Sequence, residues 1–459
     1  MITSIKINGF KAFHQFEMEF APFTIIAGLN ASGKSNLFDA LMLLSSVATS
    51  DNLKKSFKEQ RGEFLELFTQ YGENSYADTM SFCVEMLVGK TVKDAWGNTA
   101  TLKYTRLRYE LTIRRITNQS GIEDLIITSE HLENLKHDED TWIRKMLPKN
   151  YMTDWRPKVD TGKRGLPYLF TEKQAEIDTV VAPQDGTTGR KRRFPLTNST
   201  RTVLSSFDTV DFPHILAAKE EMKSWKFLQM NPDELRQPTS KSTGDDVILP
   251  NGRNLAAALY RIKQTDSYLL KEITRTLQRF LPNFVGVDVI DDKENKQYLI
   301  KLKDKHQREY TSRVLSEGTL RILALCIMQF DDKHTGLLCF EEPENGVHPS
   351  RIKDMLALLK DLTVNFEDIH SPLRQVIINT HSSTLVSNLT DTHKDTVLWL
   401  AQMKNQIITL YNPDKERVEV LTTVMLPVDK TMQLTISEQD KKWTLHAVQE
   451  YLHKENNLQ

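Results

Sequence analysis

The sequence predicts an α/β fold, and three patterns support the prediction. The apolar run "FTIIAG" passes through a Gly-bounded loop into "KSNLFDALMLLSS", whose apolar residues recur at helical spacing. Period-two alternation in "SIKINGF", "QFEMEF" and "MSFCVEMLV" predicts half-buried strands. Late in the chain, the continuous apolar runs before "EEPE" and "NTHSS" predict fully buried strands. Helices and strands of both kinds in one chain indicate the α/β class.

The size and charge of the chain set limits on its partners. At 459 residues with 39% hydrophobic residues, it is long enough for about two or three domains and a large core. Its 60 Lys and Arg face 61 Asp and Glu, which leaves a formal charge of −1. Any nucleic-acid contact must therefore come from a local patch.

The cysteines and the hydropathy pattern indicate the compartment. Cys83, Cys326 and Cys339 each lie in an apolar run, which predicts reduced core thiols and no disulfide or metal cluster. The N-terminus lacks a signal-peptide pattern, and no apolar run reaches about eighteen residues. We therefore expect a cytoplasmic protein that makes no membrane contact.

The order of predicted elements divides the chain into four parts. Strands and the Gly-bounded loop predict an N-terminal lobe over residues 1–136, and a basic, helical insert follows over 137–280. In the insert, helical spacing continues through 213–229, "PHILAAKEEMKSWKFLQ". A hairpin and three buried strands predict a C-terminal lobe over 281–430. Heptads are not sustained over many turns, so long coiled-coil arms are excluded.

The segment 431–459 predicts a C-terminal amphipathic helix. Trp443, Val448, Tyr451 and Leu452 fall on or near one face of this helix. That face could dock a partner protein, although packing on the protein's own core is the commoner arrangement.

The loop "GLNASGKS" fits the pattern G-x-x-x-x-G-K-[ST] of a phosphate-binding loop. In such a loop, backbone N–H groups at the start of a helix surround phosphate oxygens. Lys34 would reach the β- and γ-phosphates, and Ser35 would bind Mg²⁺. ATP with Mg²⁺ is the predicted ligand. The predicted contact residues are Gly28, Asn30, Ala31, Ser32, Gly33, Lys34, Ser35 and Asn36.

Two later strand ends supply the groups that such a loop needs for hydrolysis. Glu341 is the candidate Mg²⁺ partner, and Glu342 is the candidate general base for the attacking water. An exposed acidic turn is the alternative for these two residues. His381 follows the next buried strand and could donate to the γ-phosphate or to the water, or it could be only a polar cap.

The turn "LSEG" stands before a long apolar helix and predicts a second anion site. A hydroxyl from Ser316, a helix N-terminus and a Gly for close approach at Gly318 suit a phosphate. Because one loop already holds one nucleotide, this turn more plausibly serves the γ-phosphate bound by another copy. We therefore predict head-to-head dimers around ATP.

These motifs, in this order, resemble a known family. "GLNASGKSN", "LSEGTLR", "FEEPENGVHP" and "NTHSS" resemble the Walker A, signature, Walker B with D-loop, and switch-His elements of ABC-class ATPase heads. Within that class these motifs resemble the branch that contains the SMC, Rad50, RecF and OLD proteins. Three further phrases, "ITSIKINGFKAF", "WKFLQMNPDELRQP" and "LPNGRNLAAAL", resemble its OLD-like and RecF-like bacterial ATPases. The resemblance implies a two-lobed head with a mixed sheet around the loop, an ATPase activity, and composite sites shared by two heads.

The sequence also departs from the family pattern. Glu341 stands where the wider class usually has Asp, although the OLD-like branch often has Glu. Gln60 and Gln70 lie near the region of the Q-loop glutamine, but neither has a diagnostic context. No acidic cluster like that of the Toprim nuclease domain follows "NTHSS". The resemblance therefore implies an ATPase without its own nuclease.

ATPases of this kind resemble the ATPase subunits of bacterial anti-phage systems, Septu-type among them. The implied function is a nucleotide-controlled sensor that regulates a separately encoded nuclease. The alternatives are a RecF-like repair protein that clamps gapped DNA and, third, a transporter ATPase. Genes beside the coding sequence would separate the three.

The basic part of the insert is the candidate DNA-facing element. Between Arg144 and Arg201 there are thirteen Lys or Arg and six Asp or Glu. Such a cluster neutralises DNA phosphates or forms a solvated loop, and the sequence leaves both possibilities open. The candidate DNA-binding residues are Lys163, Arg164, Arg190, Lys191, Arg192 and Arg193.

Overall fold

The computed structural model describes residues 1–73, 75–117, 121, 123–157, 165–174, 177–184, 191–389, 394–409, 417–429 and 443–456. The α-helices in these ranges are α1 (Lys34–Thr49), α2 (Leu53–Lys58), α3 (Thr141–Met146), α4 (Met152–Trp155), α5 (Pro213–Lys223), α6 (Pro232–Arg236), α7 (Leu255–Thr265), α8 (Leu269–Phe280), α9 (Glu317–Gln329), α10 (Ile352–Asp361), α11 (Ser383–Ser387) and α12 (Leu445–Asn456).

The strands of the first half of the chain are β1 (Ile2–Asn8), β2 (Phe16–Glu19), β3 (Phe23–Gly28), β4 (Gln70–Gly72), β5 (Ser75–Tyr76), β6 (Thr79–Leu87), β7 (Thr91–Lys93), β8 (Thr99–Thr101), β9 (Arg106–Thr117), β10 (Glu123–Asn134), β11 (Phe170–Gln174), β12 (Ile177–Pro183), β13 (Lys191–Pro195) and β14 (Lys226–Leu228). Those of the second half are β15 (Thr239–Ser240), β16 (Phe284–Asp292), β17 (Gln297–Asp304), β18 (Glu309–Thr311), β19 (Gly336–Glu341), β20 (Arg374–Thr380), β21 (Thr396–Thr409), β22 (Arg417–Asp429) and β23 (Trp443–Thr444).

A seven-stranded mixed sheet forms the centre of the fold, with the order β14-β19-β20-β3-β21-β22-β23. The first five strands are parallel, and β22 joins β21 in an antiparallel hairpin. A separate antiparallel sheet, β10-β9-β6-β1-β2, comes from the N-terminal part of the chain. The predicted α/β class and the mixed sheet around the loop after β3 are confirmed.

The strands β19, β20 and β3 are buried along nearly their whole length because both faces of the sheet are covered. Ile26 and Ile377 point into a core shared with α1, α5 and the antiparallel sheet. Ile25 and Ile378, their neighbours, point into a second core with α8, α9 and α10. The sheet therefore lies between two cores and is held rigidly at its centre.

The antiparallel sheet shows the alternation that the sequence predicts. In β6, Met80, Phe82, Val84 and Met86 are buried, and the residues between them are partly exposed. The buried face packs in the same core as α1. This sheet fixes the helix that begins directly after the Gly-bounded loop.

The helical layer on the other face includes α9, which begins at the Ser-Glu-Gly turn. Its residues from Ile322 to Met328 are all buried. No helix among the described residues is long and apolar enough to cross a bilayer. Val448 and Leu452 of α12 are fully buried in the same core, so the C-terminal helix packs on the protein itself. Trp443, predicted on this helix, lies instead in β23, which pairs with β22 before α12 begins at Leu445.

The prediction of one helix through 213–229 is wrong in its second half. The helix α5 ends at Lys223, and Lys226–Leu228 form β14, which pairs in parallel with β19. Pairing with the outer edge of β19 satisfies the backbone groups of both segments, and this outweighs the local helical spacing. Within 137–280 the described residues also include the small sheet β11-β12-β13. The domain boundaries stay a prediction.

Candidate active site

The parallel direction of β3, β19 and β20 brings three chain segments to one edge of the central sheet. Glu341 pairs with Asn379, and Thr380 pairs with Ala27, so the strands end at the same level. The loop after β3, the carboxylates after β19 and the His after β20 therefore meet there. Ligands of open α/β sheets bind at this carboxyl edge.

The loop 28–33 folds closely over the start of α1. Ala31 and Gly33 have positive φ angles of 60° and 87°. A Cβ atom on Gly28 would lie 2.7 Å from the Ser32 Oγ, and one on Gly33 would overlap the Thr423 side chain. A side chain at either position would therefore clash with its neighbours, and at Gly33 the positive φ angle also favours glycine.

A cavity of about 340 Å³ lies at the start of α1. Its size and its mostly polar lining suit a phosphate chain, and the Ser32 hydroxyl is buried without a hydrogen-bond partner among the described residues. Met403 from β21 contributes an apolar group. The cavity is lined by Asn30, Ala31, Ser32, Gly33, Lys34, Ser35, Asn36, Glu341, Glu342, Asn379 and Met403.

Lys34 is the positive charge of this cavity and is only 7% exposed. Its Nζ atom donates to the carbonyl oxygens of Gly28 at 2.8 Å and Leu29 at 2.6 Å. Burial lowers the pKa of Lys34 to about 8, against the attraction of Glu342 and other nearby carboxylates, which raises it. A bound phosphate would contact this desolvated ammonium directly and raise its pKa again, because an adjacent negative charge favours the charged form.

This lowered pKa predicts that nucleotide binding weakens at alkaline pH. The charged form of Lys34 binds phosphate, and raising the pH above 8 removes its proton in the unliganded protein. We expect the Kd for ATP to rise about tenfold between pH 7 and pH 9, measured by calorimetry. The variant Lys34→Arg keeps its charge in this range and should show a flat profile. An equally flat profile in the wild type would contradict the assignment.

Glu342 adopts a left-handed backbone conformation with φ of 47°, which is uncommon for a residue with a side chain. Its Oε1 lies 2.7 Å from Nδ1 of His381, and its Oε2 accepts a hydrogen bond from the Asn345 side chain at 2.9 Å. Both carboxylate oxygens are thereby held in place. Such backbone strain is typical of functional sites.

Asn379 is a site residue that the sequence analysis missed. Its carbonyl oxygen and its Oδ1 both accept from the backbone N–H of Glu342, at 3.1 and 3.2 Å. Its Nδ2 lies 3.5 Å from the Glu341 carboxylate. Asn379 therefore fixes the strained turn between the two carboxylates. The available sequence signal was its place in "INTHS", two residues before the recognised His381.

Arg61 is a second group that the sequence analysis missed. Its guanidinium bonds to the buried Asp39 of α1 and lies 3.4 Å from the Glu341 carboxylate. Lys11 also pairs with Asp39, at 2.6 Å. A positive charge thus stands beside the candidate Mg²⁺ ligand.

The two candidate Q-loop glutamines do not line the cavity. Gln60 is buried, with its amide 3.4 Å from the Ser56 carbonyl oxygen, and Gln70 bonds to Gly72 at the surface. Arg61, directly after Gln60, is the residue of this region that reaches the site.

The Ser-Glu-Gly turn lies outside the cavity of its own chain. Ser316 is exposed and caps α9, with its Oγ accepting from the Thr319 N–H at 3.3 Å. A Cβ on Gly318 would lie 2.5 Å from the carbonyl oxygen of Gly346, so only glycine fits against the turn that follows Glu342. Neither Ser316 nor Gly318 lines the described cavity.

The candidate DNA-binding residues divide into two groups. Lys191, Arg192 and Arg193 lie on β13, where Arg192 stacks over Phe212 at 4.9 Å and Arg193 pairs with Glu172. Two of these three side chains thus have partners within the chain. Lys163, Arg164 and Arg190 lie outside the described residues.

Family models match most of the chain. A family described as "AAA ATPase domain" matches residues 1–177, and one described as "AAA domain, putative AbiEii toxin, Type IV TA system" matches residues 177–387. The first match contains the loop 28–35, and the second contains the Ser-Glu-Gly turn, both carboxylates and His381. No curated protein matches the sequence. The two matches support an AAA-type nucleotide-binding ATPase.

Several solved structures are similar over nearly the whole chain at low identity. The Smc head bound to the C-winged helix domain of ScpA is 14% identical with a TM-score of 0.49, over 93% of this chain and 98% of that one. The SMC head domain from Thermotoga maritima is 12% identical with a TM-score of 0.38, over 93% and 99%. The Smc head domain with a coiled coil and joint from Pyrococcus yayanosii is 10% identical with a TM-score of 0.45, over 99% of both chains.

Proposed function

We propose that this chain is an ATP-hydrolysing head, that two copies close around nucleotide, and that the closed state controls a separate nuclease. One observation carries the first part of the proposal. The phosphate-type loop, Glu341 and Glu342 line a single cavity, although they come from distant parts of the sequence, and His381 contacts Glu342 at its edge.

Binding would begin at the loop. The backbone N–H groups at the start of α1 and the Lys34 ammonium would neutralise the phosphates, and the glycines let the backbone approach them closely. Ser35 and Glu341 would hold Mg²⁺. The ion would supply positive charge that offsets the negative charge on the phosphate oxygens during hydrolysis. Arg61 would exchange its contact with Glu341 for water or ligand when the metal binds.

Glu342 is the proposed general base. Its carboxylate would accept a proton from the attacking water. The contact with His381 at 2.7 Å orients one carboxylate oxygen, and Asn345 holds the other. His381 is 35% exposed and can also donate toward the γ-phosphate.

Ser316 and Gly318 would act on the nucleotide of the second copy. They lie at a helix start outside the cavity of their own chain, where the exposed Ser316 would exchange its contacts with Thr319 for an anion and the backbone N–H groups of the first turn would donate to that anion. ATP would favour the closed pair because the γ-phosphate is contacted from both sides. Hydrolysis would remove that preference.

Light scattering and hydrolysis assays test the closed pair. We expect ATP with Mg²⁺ to shift the protein from monomer to dimer and ADP to leave it monomeric. Ser316→Arg should keep the affinity for ATP, lose the dimer and hydrolyse ATP at least about tenfold more slowly. Ser267→Arg, at an exposed serine between α7 and α8, is the matched control. A wild type that stays monomeric with bound ATP would overturn the composite site.

The proposed partner is a nuclease encoded beside this gene, as in an anti-phage system. The support is twofold: the motif resemblance, and the description of the family matched over 177–387, which includes a putative AbiEii toxin. DNA is a further proposed ligand, for which the exposed residues Lys191, Arg192 and Arg193 lie on the edge strand of the small sheet. The chain would sense its trigger in the ATP-bound state and report it to the nuclease.

Co-expression with the neighbouring nuclease tests the regulation. We expect nuclease activity on DNA to change at least about fivefold between ATP, ADP and no nucleotide, because only ATP supports the closed state. Activity that is the same in all three conditions would contradict regulation by this head. Tight binding of gapped DNA without any nuclease would favour the repair function instead.

A further inference from the structure

A third carboxylate lies directly behind the proposed base. Glu344 is two residues after Glu342 and only 8% exposed, and it does not line the nucleotide cavity. Its Oε1 accepts a hydrogen bond from the Thr380 hydroxyl. Its Oε2 is buried and has no hydrogen-bond partner among the described residues. The proposed hydrolysis assigns this group no role.

Thr380 connects Glu344 to the residue that holds the base. The side chain of Thr380 is completely buried at the end of β20, one residue before His381. Its hydroxyl oxygen accepts the backbone N–H of Ser382 at 2.9 Å, one residue after His381. Since that hydroxyl donates its single proton to Glu344, its lone pairs are directed toward Ser382. Both neighbours of His381 are thereby fixed.

We infer that Glu344 is a positioning residue for hydrolysis: through Thr380 it fixes the turn that carries His381, and His381 in turn holds the Glu342 carboxylate. The inference rests on the proposed ATPase function. It names a second connection between the turns after β19 and β20, in addition to the direct contact of Glu342 with His381.

The surroundings of Glu344 are consistent with this role. The backbone of the turn 342–347 is closed by hydrogen bonds from Asn345 to Glu342 and from Val347 to Glu344, at 3.1 and 2.9 Å. Burial raises the pKa of Glu344, which means that the charged form of this carboxylate lowers the stability of the folded chain. A local loss of folding stability of this kind is expected where a side chain serves a reaction and not only the fold.

Paired substitutions on both ends of the hydrogen bond test the inference. We expect Glu344→Ala and Thr380→Val each to lower kcat about tenfold to a hundredfold, with the KM and the ATP affinity changed less than about twofold. Glu344→Gln and Thr380→Ser keep an acceptor and a donor, so they should retain kcat within about threefold. The comparison needs steady-state rates and nucleotide binding for all four variants.

A double substitution separates positioning from a general effect on the fold. Because Glu344 acts through His381, Glu344→Ala combined with His381→Ala should be no slower than His381→Ala alone. Multiplicative losses in the double variant, or wild-type kcat in both Glu344→Ala and Thr380→Val, would overturn the inference. If Glu344→Ala does not fold, the Thr380→Val and Thr380→Ser pair decides.

The result also separates this inference from the proposed function. A wild type that hydrolyses ATP, with both disruptive variants at its rate, removes only the role of Glu344. A folded wild type without any ATP hydrolysis overturns the proposed function, and the role of Glu344 with it.

Discussion

Replacing Glu342 by Gln is expected to lower ATP turnover by about a hundredfold to a thousandfold while ATP binding is kept. The amide has the size of the carboxylate, and it can still accept from Asn345 and contact His381, at the positions now 2.9 and 2.7 Å away. It cannot accept the proton of the attacking water. The loss should therefore appear in kcat, as about 3–4 kcal/mol of activation free energy.

The same variant should accumulate the ATP-bound dimer. Hydrolysis is the step that reopens the pair in the proposed cycle, so its loss should lengthen the dimer lifetime in light scattering by a similar factor. Glu294→Gln, at an exposed carboxylate in the β16–β17 turn, is the matched control and should behave as the wild type. Wild-type turnover in Glu342→Gln would place the general base at another residue.

Local sequence patterns were sufficient for the parts of the site that are continuous in the chain. The strand, loop and helix around Gly28–Ser35 follow from an apolar run, two glycines and helical spacing, all within about twenty-five residues. The carboxylates could be expected near the loop because parallel strands end at one edge of a sheet. That expectation needed no knowledge of the strand order.

The groups that the sequence did not reveal depend on distant contacts. Arg61 reaches Glu341 across 280 residues of sequence, and its salt bridge with Asp39 has no motif around it. The segment 226–228 has helical spacing, yet it becomes a strand because the edge of β19 offers backbone partners. The hairpin strand β22, which packs Thr423 against Gly33, was not predicted either. Contacts between distant segments of the folded chain determine the structure at these positions, and the local pattern of a single sequence carries no information about those contacts.

Replacing Lys34 by Met is expected to raise the Kd for ATP by at least about a hundredfold. Lys34 is the only positively charged side chain among the described residues that line the cavity, and it faces Glu341 and Glu342. Met keeps the length of the side chain and removes its charge. The variant cavity would carry two carboxylates without a lysine to offset them, and it would repel a triphosphate.

The stability of the Lys34→Met variant distinguishes lost binding from lost folding. Because burial lowers the pKa of Lys34 to about 8, the folded state at pH 7 disfavours this ammonium relative to the unfolded chain. Its removal should therefore leave the Tm of the free protein unchanged or raise it. Lys226→Met is the matched control, since burial also lowers the pKa of Lys226, which lies outside the cavity on β14. We expect that variant to bind ATP normally in calorimetry. Wild-type ATP affinity in Lys34→Met would mean that the loop does not bind the phosphates, because no other described side chain in the cavity could replace its charge.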